Sequence, residues 1–234
     1  MPHKYLFILS PPYSGSTALW QLLQSSAQVS ALPDEGQKLS ELAPMMRQQP
    51  WNPETQFDWQ TISKVWHGYW DLTRPVLLEK SPPHLCRSEQ LLTHFDPAYF
   101  ILLLRDPVAT CEALHRRNGM SYEEAAQRWI EWLQYHLACR QTLPRYKLLY
   151  YEALTEDPTH CLQELAGWMP ELAGIDPQLT VRAHSVHGVR ERSLTNLNAD
   201  KLARLTTAER EAVMKVLREQ APLLKQTSYA SYLH

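Results

Sequence analysis

Four short stretches of this 234-residue chain carry side chains suited to holding an anion and moving a proton. The first is Tyr13-Ser14-Gly15-Ser16-Thr17, which follows an apolar run and opens a helical pattern. Gly15 lets backbone N–H groups approach an anion, the helix adds its positive end, and Ser16 and Thr17 add hydroxyl donors. It is not the G-x-x-x-x-G-K-[ST] loop, because a second glycine and the lysine are missing. A plain tight turn with a serine cap fits the same residues. The second stretch is Arg105-Asp106-Pro107, directly after four apolar residues. An arginine there needs an anionic partner if buried, either a ligand or a carboxylate such as Asp106. The third is Glu79-Lys80-Ser81, whose two charges could pair with each other. The fourth is Tyr151-Glu152. Glu35, in Asp34-Glu35-Gly36, reads on residue type alone as a surface carboxylate.

What positions these groups is an alternation of strands and helices. Strands are predicted over residues 5–9, 75–80, 98–104 and 146–151, each nearly continuous in apolar residues. Helices are predicted over 16–23, 59–70, 108–117, 121–143, 159–169 and 206–224, the fourth opened by the capping pattern Ser121-x-x-Glu124. Residues 176–200 read as irregular. Short apolar strands alternating with helices predict an α/β fold, a parallel sheet covered by helices on both faces. All four polar stretches then fall at the carboxyl ends of strands, where such sheets bind ligands. No linker or repeat interrupts the chain, so residues 1–234 read as one domain, with the helix near 206–226 packed on it.

Composition narrows the classes further. Lys and Arg number 23 against 25 Asp and Glu, which argues against a general nucleic-acid binder. The longest apolar run falls far short of a membrane span, and the N-terminus lacks the pattern of a cleaved leader. The four cysteines form no CxxC pair and fit a reducing cytosol, so a cytoplasmic protein is expected. Ten scattered histidines without an HExxH pattern give no metal site. A homodimer is compatible with the sequence. Eight tryptophans fit either a core or a partner surface, and a non-catalytic interaction protein is one alternative reading.

Taken together, the stretches resemble the sulfotransferases that use 3′-phosphoadenosine 5′-phosphosulfate (PAPS). Residues 12–19 resemble that family's 5′-phosphosulfate loop, Arg105-Asp106-Pro107 its 3′-phosphate motif, and Glu79-Lys80-Ser81-Pro82 its EK[ST]P segment. Tyr151-Glu152-Ala153-Leu154 with Asp157-Pro158 is similar to its YE-x-L…DP block. Asp34-Glu35, Arg117 and Glu191-Arg192-Ser193 fall where the protein-tyrosine sulfotransferase branch has comparable residues. The resemblance implies a P-loop-like sulfotransferase fold and in-line transfer of a sulfuryl group to a small-molecule or peptide hydroxyl. It implies Glu35 as general base, with Asp34 as competitor, and Lys80 stabilising the transferring group. Tyr13, Ser14, Gly15, Ser16, Thr17, Arg105, Arg117, Tyr151 and Ser193 would hold the nucleotide. Two positions depart from the pattern. Tyr13 stands where the loop usually has Lys or Arg, and Ala113 where a serine would bond the 3′-phosphate, a loss of about 1.5–3 kcal/mol. An inactive nucleotide-binding relative and a P-loop kinase-like enzyme are the alternatives to an active sulfotransferase.

Overall fold

The computed structural model describes residues 2–185 and 188–233. Its elements are, in chain order, β1 (Lys4–Leu9), α1 (Ser16–Gln24), β2 (Val29–Ala31), α2 (Ala43–Met46), α3 (Trp59–Tyr69), β3 (Val76–Glu79), α4 (Ser88–His94) and β4 (Ala98–Leu104). There follow α5 (Pro107–Asn118), α6 (Tyr122–Thr142), β5 (Tyr146–Tyr150), α7 (Tyr151–Glu156), α8 (Pro158–Trp168), β6 (Val181–Ser185), β7 (Gly188–Arg192), α9 (Asn198–Leu202), α10 (Thr207–Glu219) and α11 (Ala221–Leu224).

Five strands form one sheet in the order β2-β3-β1-β4-β5, every pairing parallel. Both faces are covered, which explains the near-continuous apolar strands. Phe7, Leu9, Phe100, Leu102 and Leu104 point into a core shared with α3, α4, α5, α6 and α10. Leu6, Ile8, Ile101 and Leu103 point into a second core with α1, α7 and α8. Each such side chain contributes about 1.5–3 kcal/mol by leaving water. Trp59, Trp66, Trp70, Trp129 and Trp132 are buried in the first core, so they build the fold instead of a partner surface. No helix among the described residues is long and apolar enough to cross a membrane.

The predicted strands and helices recur to within a residue or two, and Ser121 and Glu124 complete the capping box of α6. Three differences have physical reasons. Strand β2 is only three residues long, too short for periodicity to register. The expected helix over 206–224 breaks after Glu219, because Pro222 lacks the N–H a continuous helix needs and instead opens α11. Residues 176–200 are not irregular throughout. They hold the antiparallel pair β6–β7 and the short helix α9. β7 is mostly exposed, so its sequence lacks the alternation that marks a half-buried strand.

Candidate functional site

The carboxyl ends of β1, β3, β4 and β5 open into one cavity of about 650 Å³. At its centre the chain leaves β1, places Tyr13 at φ 64° and Gly15 at φ 88°, and enters α1. Gly15 is required twice over. Its φ is left-handed, and a Cβ there would lie 2.5 Å from the Tyr151 ring. No side chain caps the start of α1, so its first N–H groups face the cavity with the positive end of the helix. Ser16, Thr17 and Tyr13 line the cavity. Ser14 is fully buried and its hydroxyl has no partner among the described residues. The Tyr13 hydroxyl donates to Oδ1 of Asn118, another lining residue, at 2.6 Å.

The charged residues after β3 separate as strand alternation requires. Glu79 is 1% exposed, accepts from Gly36 N–H at 2.8 Å and from Ser81 Oγ at 2.6 Å, and faces His84. Lys80 turns to the other side, 2.7 Å from Glu35 Oε1 and 3.3 Å from Thr17 Oγ1. The expected alternative of a Glu79–Lys80 pair is therefore replaced by two separate arrangements. One holds the loop and the other faces the cavity. Burial raises the Glu35 pKa, but the charges of Lys80 and Lys38 and hydrogen bonds from Lys80 and Gln37 outweigh it. Glu35 stays below the ordinary carboxylate value and is an anion at neutral pH. Asp34 is exposed and accepts from the Glu35 N–H, outside this cavity.

Glu35 is held by its neighbour. A Cβ on Gly36 would lie 2.6 Å from Nε1 of the fully buried Trp66. Gly36→Ala must push the loop off Glu79 and Trp66, and is expected to cost about 1–3 kcal/mol, read as a lower thermal midpoint.

The third group lies at the end of β4. Arg105 is 3% exposed and stacks its guanidinium 3.8 Å above the Tyr151 ring. Its Nε donates to Asn198 Oδ1 at 2.7 Å and its Nη1 to the Tyr13 carbonyl at 3.1 Å. Its Nη2 is buried with no partner among the described residues. Asp106, offered by the sequence as a partner, instead caps α5 through Ala109 N–H. The Tyr151 hydroxyl is taken by Thr195 O and Leu197 N–H, so its ring, not its hydroxyl, serves the cavity. Arg117 and Ser193 line the same cavity.

Several lining residues had no signal in the sequence. Lys201, from α9, is 3% exposed and donates to the Ala109 carbonyl at 3.1 Å, one helical turn before Ala113. Burial, then the charges of Arg105, Arg116 and Arg117, push its pKa down to about 6, against a smaller raising effect of Glu112. Arg47, Arg182 and Arg192 also line the cavity, and Glu35 is its one carboxylate among the described residues. A chain of net charge −2 thus sets several Lys and Arg against one carboxylate around this cavity. That arrangement binds polyanions. A second cavity of about 530 Å³, lined also by Trp20, Gln21, Gln24, Asp34 and Val189, shares Thr17, Glu35, Lys38, Lys80 and Arg182 with the first. The Glu35–Lys80 pair stands where the two meet.

Residues 6–171 match the model of the sulfotransferase family. No curated protein matches the chain significantly in sequence. Among solved structures, it is similar to the sulfotransferase domain of the Synechococcus PCC 7002 olefin synthase. The TM-score is 0.56, at 22% identity over 94% of this chain and 95% of that one. Sulfotransferase STF9 from Mycobacterium avium aligns with a TM-score of 0.62, at 16% identity over 97% and 78%. Mouse sulfotransferase SULT7A1, solved with PAP, aligns with a TM-score of 0.53, at 12% identity over 98% and 87%. At these identities the likeness is one of fold.

Proposed function

The chain belongs to the sulfotransferase family, and from that premise we propose that it moves a sulfuryl group from PAPS to an acceptor hydroxyl. The observation that carries the reading is the buried Arg105. Arg105 lines one cavity with the start of α1 and the Glu35–Lys80 pair, and its Nη2 has no hydrogen-bond partner among the described residues. These residues suit PAPS, which needs an anion site at each end of the nucleotide and a proton acceptor beside the transferable group. When bound, PAPS supplies the sulfuryl group and a leaving group, adenosine 3′,5′-bisphosphate (PAP).

In this reading Arg105, Arg117, Lys201 and Ser193 hold the 3′-phosphate, with Lys201 offering the donor that Ala113 lacks. The backbone and hydroxyls of residues 14–17 hold the phosphosulfate end, with Tyr13 as a wall. Tyr151 supports Arg105 and Gly15 by its ring. Glu35 accepts the proton of the acceptor hydroxyl, and Lys80 offers positive charge where negative charge develops. Lys38 and Arg182 line the same junction and offer positive charge in place of the cation that Tyr13 replaces. The walls formed by Trp51, Pro82 and Pro83 fit a flat acceptor, and with the Asp34-Glu35 spacing they favour a phenol or a peptide tyrosine. We take residues 1–234 as one catalytic unit acting in the cytoplasm. A PAP-binding relative with little turnover is the second reading, favoured by Tyr13 alone. Incubating the protein with PAPS and a panel of phenols and tyrosyl peptides, and measuring PAP release, separates the two. Acceptor-dependent release supports the enzyme, and PAP binding without it supports the relative.

Lys201 gives this reading a pH signature. Its pKa is about 6 in the free protein, and a phosphate beside it favours the ammonium form. Above pH 7, where the phosphate is fully ionised, binding must therefore take up a proton. Affinity for PAP is expected to fall by up to about tenfold per pH unit, the slope of one linked proton. Titration at pH 7 and pH 8.5 reads this directly, and Lys201→Met is expected to bind more weakly with the slope removed.

A further inference from the structure

Two carboxylates lie close beneath Arg105, yet neither takes its free nitrogen. Glu152 Oε1 accepts from the Asp106 N–H at 3.0 Å and from Asn198 Nδ2 at 2.6 Å. Its Oε2 accepts from the Tyr229 hydroxyl at 2.7 Å. Asp106 spends one oxygen on the Ala109 N–H and the other on the Tyr232 hydroxyl. Tyr229 is 6% exposed and packs edge-on against Trp129 and Tyr150, and the Ser228 N–H is bonded to the Tyr150 hydroxyl. Both phenols thus come from one short segment, residues 228–233, docked on the core from far along the chain.

We propose that Tyr229 and Tyr232 are positioning residues for the anion site, holding Glu152 and Asp106 off Arg105 so that its guanidinium stays open to a ligand phosphate. Glu152 is half-buried, and a carboxylate in such a place that loses its donor turns to a neighbouring cation. For Glu152 that cation is Arg105, whose Nε already reaches it through Asn198. An internal ion pair there competes with any ligand anion. This rests on Arg105 being a phosphate site, and it assigns the segment's role in shaping that site.

The test is titration of Tyr229→Phe, Tyr232→Phe and wild type with PAP, each after thermal unfolding has shown it folded. Tyr229→Phe is expected to weaken PAP at least fivefold, to raise the KM for PAPS and to leave kcat unchanged. Adding Glu152→Gln, which removes the competing charge, is expected to recover most of the lost affinity. A merely structural tyrosine would show no such rescue. Unchanged affinity in both folded Phe variants overturns the proposal, as does a loss in Tyr229→Phe that Glu152→Gln does not relieve. Wild-type protein that fails to bind PAP overturns instead the reading of Arg105 on which it rests.

Discussion

Arg105→Ala is expected to weaken PAP binding by two to three orders of magnitude while leaving affinity for 5′-AMP within a few fold. The guanidinium is almost fully buried and fixed on three sides, by the Tyr151 ring, Asn198 and the Tyr13 carbonyl. Its remaining nitrogen is already desolvated and has no partner among the described residues. Charge-assisted bonds to a phosphate in such a site are worth about 2–5 kcal/mol when one partner is truncated, and roughly 1.4 kcal/mol is a factor of ten. The alanine also frees Asn198 Oδ1 and uncovers the Tyr151 face, so some thermal stability is lost. Arg105→Lys separates the causes. It keeps the charge but not the fork or the flat stacking surface, and is expected to fall between wild type and alanine. Calorimetric titration of the three proteins with PAP and AMP reads both effects.

Glu35→Gln is the second large effect. It is expected to lower kcat by about 10²–10⁴-fold, the range for a positioned general base, with PAP affinity within a few fold of wild type. The amide keeps the shape and the bond from Lys80 but cannot take a proton. The pH profile adds a sign. Burial raises the Glu35 pKa, but Lys80 and its neighbours lower it further, so the carboxylate is ionised across the neutral range. Activity is therefore expected to hold down to pH values below those of an ordinary carboxylate before an acid limb appears. Lys80→Met removes the largest lowering influence while the burial remains, so its acid limb moves to higher pH. Rate measurements from pH 4 to 8 on the three proteins distinguish a lost base from a displaced one.

The parts of the site legible in the sequence are those at strand ends. Gly15, Lys80, Arg105 and Tyr151 each interrupt or follow a strong apolar run, and a parallel sheet places such residues together whatever its strand order. Their partners were hidden for a physical reason. Lys201 and Asn198 lie in a stretch whose exposed strand and five-residue helix leave no periodic trace. Tyr229 and Tyr232 meet the carboxylates they hold from 77 and 126 residues further along the chain, and spacing carries no information over such separations. Glu35 stands between the two cases. Its side chain looks like any loop carboxylate, and only the clamp on Gly36 by Glu79 and Trp66 shows that its place is fixed. Likewise Glu79 and Lys80 look like a pair in sequence. The pleat sends one to the loop and the other to the cavity.

The most direct test of the central claim is a comparison of PAP, 5′-AMP and magnesium ATP as ligands of the wild-type protein. The cavity's cations around Arg105 and Lys201 predict that PAP binds at least about 100-fold more tightly than AMP, since the two differ only in the 3′-phosphate. Equal binding of PAP and AMP, or a preference for magnesium ATP, would contradict a PAPS-dependent enzyme and point to kinase-like chemistry on the same sheet.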